Sequence, residues 1–142
     1  MEQYLEFAGN HLYLHLALVV VLGAIVWSFL GNRVAGYRRI DPQGAVPLIN
    51  RAGGVVVDIR DAKEFKEGHV VDAVHIPLTA LAKRHVELNR FKDKPIIVAC
   101  RSGARSSAAC STLRKAGFEQ VYLLSGGMLA WEGANLPLTR RK

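Results

Sequence analysis

The sequence predicts an α/β fold, a parallel sheet with helices on both faces, preceded by one N-terminal transmembrane helix. Three observations predict it. Residues Leu12 to Leu30 read LYLHLALVVVLGAIVWSFL, nineteen residues without Asp, Glu, Lys or Arg. Three continuous apolar runs follow, Val55–Asp58, Ile96–Ala99 and Val121–Leu124, each of strand length and suited to a sheet buried on both faces. Between them lie segments with helix starts and stops, and strands alternating with helices imply a parallel sheet covered on both sides.

The apolar run comes first. As a helix it is roughly 28 Å long, about the thickness of a bilayer's hydrocarbon core. Val19, Val20, Val21, Ile25 and Val26 are mediocre helix formers in water, but in lipid the backbone must satisfy its own hydrogen bonds and helix wins. Tyr13, Trp27 and Phe29 lie near the ends, where amphipathic rings favour the interface, and His15 is read as a neutral side chain reaching for headgroups. A buried core helix would carry a polar stripe, and a cleaved signal peptide a basic start; here the start holds Glu2 and Glu6. Residues 1–11 lack Lys and Arg whereas Arg33, Arg38 and Arg39 follow the span, so the positive-inside rule places the C-terminal portion in the cytoplasm. The expected organisation is a short extracytoplasmic N-terminus (1–11), the span (12–30) and a basic juxtamembrane linker (31–39).

The 142 residues allow one ordinary domain, two cysteines exclude a disulfide scaffold, and 50% hydrophobic residues exclude a disordered chain. Residues 1–36 carry net −1 and residues 37–142 net +8. Such a basic portion is held near an anionic leaflet. Nucleic acid is the other partner a basic chain suggests, but no recognition helix, zinc-finger spacing or aromatic RNA-binding motif supports it.

Asp41-Pro42 reads as an N-cap with proline at the first helical position, opening a helix towards Asn50, and Gly53-Gly54 ends the turn before the strand Val55–Asp58. A short helix is expected over Asp61 to Glu67, stopped by Gly68, then a strand at Val74–Ile76 ended by Pro77. Thr79 is expected to cap a helix running through Leu81, Val86 and Leu88. After Pro95 and the strand Ile96–Ala99, Ser106 to Ala116 reads as a helix capped by Gly117. Val121–Leu124 is the last buried strand, followed by Gly126-Gly127 and a helix through Trp131.

Ligands of such sheets bind beyond the carboxyl ends of the strands, which directs attention to Cys100-Arg101-Ser102-Gly103-Ala104-Arg105. A cysteine ends a buried strand and a helix starts behind the loop, so consecutive N–H groups and the helix dipole favour negative charge at its centre. Arg101 and Arg105 add formal charge, Gly103 lets the loop curl, and each electrostatic effect raises the thiolate population. Cys110 lies roughly 15 Å of helical rise away, too far for a disulfide, and reads as a buried inert thiol.

The segment from about Ile40 to Pro137 resembles a single rhodanese (sulfurtransferase) domain, leaving 138–142 as a basic tail. Val57-Asp58-Ile59-Arg60 with Glu64-Phe65 and Gly68-His69-Val70 resembles the family's first signature, continued by Ala73-Val74-His75-Ile76-Pro77. Cys100 to Ser106 is similar to its active-site loop, and Gly126-Gly127 with Trp131, Gly133 and Pro137 to its C-terminal signature. Asp72 stands where the family usually has glycine. With the anchor in front, the chain looks like the membrane-anchored, single-domain rhodaneses of Gram-negative bacteria, which implies the inner membrane.

The resemblance implies that Cys100 is the nucleophile and persulfide carrier, loaded by a small sulfur donor (thiosulfate or a persulfide) and unloaded by a thiol or cyanide. It implies substrate binding by Arg101, Ser102, Gly103, Ala104 and Arg105, with Arg101 at a position that bears a cation in thiosulfate-using members. Asp58 and Arg60 are expected as a structural ion pair supporting the loop, with Ser106 a further support; His69 and His75 resemble structural positions, and Trp131 reads as core or a pocket wall. No cofactor or metal is expected. Membrane lipid is a partner through residues 12–30, and an inner-membrane protein is a further candidate. Two alternatives stay open: a cysteine phosphatase or arsenate reductase, whose Cys-x5-Arg loop is one residue wider than the Cys-x4-Arg here, and a membrane-tethered scaffold using the same fold.

Overall fold

The computed structural model describes Met1 and residues 11–140, without the side chains of residues 31–34. The expected N-terminal segment 1–11 and the tail residues 141–142 therefore lie almost wholly outside the described residues. The chain divides into two compact units, Met1–Ala35 and Gly36–Lys142.

The first unit is helix α1, Leu12–Val34. It outruns the expected span by four residues, and Leu12–Leu30 within it is long and apolar enough to cross a membrane by length and composition. Its large apolar side chains are exposed, which is not the pattern of a core helix. His15 is also exposed, and its Nδ1 lies 3.1 Å from the His11 carbonyl oxygen one turn back.

The second unit holds a five-stranded, all-parallel sheet in the order β1-β6-β5-β2-β4. The strands are β1 Arg38–Ile40, β2 Val55–Asp58, β4 Val74–His75, β5 Ile96–Ala99 and β6 Val121–Leu124. Helices α2 (Pro42–Ala52), α3 (Ala62–Glu67), α4 (Leu78–Arg84), α5 (Ser106–Lys115) and α6 (Gly127–Gly133) connect them. All four β5 residues are fully buried, as a central strand between two helical layers requires. Alternation splits the core in two. Val57, Val98 and Leu123 face Leu81, Leu88, Leu113 and Phe118. Val56, Ile97 and Leu124 face Ala45, Met128 and Trp131.

The local punctuation works as the chemistry demands. The Asp41 carboxylate accepts the Gly44 N–H at 2.8 Å to cap α2, with Pro42 in the first turn. At the end of α5 the N–H of Gly117 donates to Arg114 O and that of Phe118 to Leu113 O, both at 3.1 Å, a paired closure that Gly117 permits at φ 95°.

Four expectations change. Arg38 and Arg39, expected in the linker, form β1, whose exposed edge position tolerates charge. Leu138–Thr139, expected in the tail, forms β7 and pairs antiparallel with β3, His69–Val70. The strand expected to reach Ile76 stops at His75. The helix expected from Thr79 through Leu88 begins at Leu78 after Pro77, without a side-chain cap, and tightens into a 3₁₀ segment over His85–Phe91. The tighter winding keeps Leu88 buried while Val86 turns to solvent.

Asp72 adopts φ 61°, which explains why glycine suits this turn, and aspartate is among the few side chains tolerated there. Asp72→Val is therefore expected to lower unfolding stability by about 1–3 kcal/mol, whereas Asp72→Gly lowers it little or raises it. Chemical denaturation of the two variants checks the order, and equal losses would contradict it.

Candidate active site

Cys100 follows β5 directly and is buried. The N–H of Gly103, a residue at φ 94°, donates to Cys100 Sγ at 2.9 Å. Burial works against ionisation of this thiol, but the Ser106 hydroxyl and the N–H groups of Arg105, Gly103 and Ser106 outweigh it, so its pKa lies below the ordinary value. Ser106 is fully buried, and among the described residues its hydroxyl has no hydrogen-bond partner other than this sulfur. Cys110 makes the contrast. Burial without comparable donors pushes its thiol up to about 12, and both cysteines are unpaired with each other.

The loop is seated on the start of α6. The N–H of Met128 donates to Cys100 O at 2.8 Å and that of Leu129 to Arg101 O at 3.1 Å. A side chain at Gly127 (φ 57°) would run into the Cys100 and Arg101 backbone. The sequence singled out Gly126-Gly127 as the break before the last helix and as part of a signature; nothing in its spacing reveals that Gly127 makes room for the loop.

Of the expected site residues, Asp58 and Arg60 form a buried bidentate pair at the end of β2, with Nη2–Oδ2 at 2.7 Å, and the Arg60 Nη2 also donates to Gly68 O at 2.7 Å. The N–H of Ile59 donates to Ala99 O at 3.0 Å, tying this corner to the residue before Cys100. His69 and His75 both stack with Phe65, their ring centroids 3.6 and 4.4 Å from its own. Each also engages a carbonyl oxygen, of Phe65 and Arg60 respectively, which fits the structural role expected of them. Trp131 is core, its Nε1 donating to Pro137 O at 3.1 Å, and it walls an apolar hollow of about 290 Å³ that Val46 and Leu136 also line, and that Cys100 does not.

Arg105 and Arg101 differ. Arg105 pairs with Glu64 at 3.2 Å, and Glu64 also accepts the Asp61 N–H at 3.1 Å in the capping box of α3. Burial raises the Glu64 carboxyl, but Arg105 and the Asp61 N–H outweigh it and its pKa falls. Arg101 is exposed and lines a cleft of about 150 Å³ with Arg60, Glu64, Glu67 and Met128. Ser102 and Ala104 are exposed on the rim. Glu64 was a motif letter in the sequence; its partner is 41 positions away, beyond the reach of any local pattern.

The model of the rhodanese-like domain matches residues 42–134. YibN of Escherichia coli K12 is 34% identical over 143 aligned positions covering all of both chains. The thiosulfate sulfurtransferase GlpE of Vibrio cholerae is 34% identical over 72% of this chain and 94% of its own. The crystal structure of a rhodanese-related protein from Thermoplasma volcanium superposes with a TM-score of 0.67 at 28% identity, covering 74% of this chain and all of that one.

At pH 7 a small alkylating agent should modify the native protein once, at Cys100, with a rate-versus-pH midpoint below that of an ordinary thiol. Cys110 should react only after unfolding; peptide mass mapping reads both. Gly127→Ala should unseat the loop and slow Cys100 alkylation at neutral pH, and an unchanged pH profile would contradict the seating argument.

Proposed function

The chain belongs to the rhodanese-like family, and we propose that it is a membrane-anchored sulfurtransferase carrying sulfane sulfur as a Cys100 persulfide. The observation that carries the reading is the ring of donors around the Cys100 sulfur, which lowers its pKa despite burial. Sulfurtransferase names among the relatives support the reaction class.

In the first half-reaction the Cys100 thiolate attacks the outer sulfur of thiosulfate. A Cys–S–S bond forms, the donor's S–S bond breaks, and sulfite leaves with the electron pair. In the second half-reaction a thiolate or cyanide attacks the terminal persulfide sulfur, giving a new persulfide or thiocyanate and returning the Cys100 thiolate. Covalent storage between two substrates implies ping-pong kinetics. The N–H groups of Gly103, Arg105 and Ser106 stabilise the anionic sulfur in both steps, as an oxyanion hole does. The Ser106 hydroxyl has its donor capacity available for the same anion.

Arg101 binds the donor dianion, because Arg60 and Arg105 already have carboxylate partners. Ser102, Gly103 and Ala104 supply backbone and rim. Asp58 holds Arg60, and through it the corner beneath the loop, while Ser106 opens α5 against the sulfur. Residues 12–30 anchor the chain in the bacterial inner membrane with the catalytic unit in the cytoplasm, the basic flank supporting that orientation.

The test is the intact mass of the purified full-length chain after thiosulfate. One added sulfur atom, removed by cyanide and absent from Cys100→Ala but kept in Cys110→Ala, is the expected result. Arg101→Ala should raise KM for thiosulfate roughly tenfold or more, the size of a lost charge-assisted contact. Aryl phosphate hydrolysis through Cys100 without sulfur uptake would overturn the reading in favour of a phosphatase.

A further inference from the structure

We propose that the end of the sheet where its strands begin is a docking face for the headgroups of anionic phospholipids. The proposal rests on the membrane reading of residues 12–30, and goes beyond it by assigning a surface of the catalytic domain. Because every strand of the main sheet is parallel, the loops that enter β1, β2, β5 and β6 all gather at one end. That end collects basic side chains. Arg38 opens β1, Arg51 and Arg90 lie in the last turns of α2 and the 3₁₀ segment, Lys115 ends α5, and Lys92 and Lys94 sit in the loop before β5. All six are exposed.

Contacts bind these groups into one surface. Arg90 and Lys94 lie 4.6 and 5.9 Å from the Phe91 ring, and Lys92 lies 5.6 Å from that of Phe118. Gln120 Nε2 donates to Asp93 O at 3.2 Å, drawing the loops before β6 and β5 together. A hollow of about 500 Å³ opens beside them, between Gly53, Val74, Arg90 and Phe91. The carboxylates on this end are Asp72, Asp93 and Glu119, with Glu87 near Arg90 but paired to Arg84, too few to balance it. At the other end Asp58, Asp61, Glu64, Glu67 and Glu132 stand among the arginines near Cys100.

Cations at helix C-termini are expected from the helix dipole alone, which accounts for Arg51, Arg90 and Lys115. It reaches Lys92, the C-cap of the 3₁₀ segment, but does not account for Lys94 or Arg38, which lie in a loop and a strand. The occupant follows from the chain. Gly36 and Tyr37 lead into β1 at this same end, with the Arg114 guanidinium packed against Gly36. Three residues separate Val34, the end of α1, from Arg38, so a bilayer holding residues 12–30 is the nearest extended anionic surface to these cations.

The experiment places the full-length chain in lipid nanodiscs of phosphatidylcholine, with or without phosphatidylglycerol, and follows amide hydrogen exchange. Expected is exchange at residues 90–95 and 115–120 slowed at least about threefold by phosphatidylglycerol, an effect that fades as salt rises. Arg90→Glu with Lys92→Glu and Lys94→Glu should abolish the slowing while sulfur loading of Cys100 continues. If that triple reversal disturbs folding, Lys92→Gln with Lys94→Gln should give a partial loss. Equal exchange in both lipids, or slowing that salt does not touch, overturns the docking face. A chain that enters neither disc overturns the membrane reading beneath it.

Discussion

The contact on which the site depends is backbone against backbone, where residue 127 meets the start of the cysteine loop. Met128 and Leu129 donate their N–H groups to the carbonyl oxygens of Cys100 and Arg101, and the approach leaves no volume for a Cβ on Gly127. The first N–H groups of α6, which have no partner within the helix, thereby hold the loop's own first carbonyls. Those two peptide planes are thereby fixed, and the loop that goes on to carry the Gly103, Arg105 and Ser106 N–H groups to the sulfur is held at its start. The neighbouring Gly126 reinforces it, since a side chain there would strike Ala130 one turn along.

That arrangement separates two kinds of electrostatic work. Arg60 and Arg105 are each committed to a carboxylate, Asp58 and Glu64, so their charges are largely spent on holding architecture. Ionisation of Cys100 is driven by the dipoles of Ser106, Arg105 and Gly103, with the Arg105 charge a lesser neighbour. Cys110, inside α5, shares the burial but lacks those donors, and its thiol moves the opposite way. Burial alone silences a thiol; burial with aimed N–H groups activates one.

Much of this was legible in the sequence because it is locally encoded. Ile96–Ala99 and Val121–Leu124 are strands over the expected residues, since four consecutive apolar residues between turn signals have few other uses in a chain this short. The Asp41-Pro42 cap, the stop at Gly68 and the Asp58–Arg60 pair follow from residue types at fixed short spacing. What escaped is encoded at a distance. β3 and β7 are two residues each and exist only because they find one another, so neither shows a period. Arg38-Arg39 reads as linker until β6 pairs with it. The Glu64–Arg105 bridge and the seat at Gly127 join segments that only the folded sheet brings together. Arg105 consequently reads as a second anion-binding cation in the sequence, although its charge is already matched.

The parallel sheet also imposes a polarity that its chemistry exploits. Parallel strands send every carboxyl end, and every helix N-terminus that follows, to one side, and it is there that N–H groups are unsatisfied and an anionic sulfur is welcome. The same rule sends helix C-termini and strand entries to the other side, where carbonyl oxygens favour cations. Arg51, Arg90, Arg114 and Lys115 all occupy last turns. A chain that enters such a domain through its first strand must enter on the cationic side, as Arg38 does here.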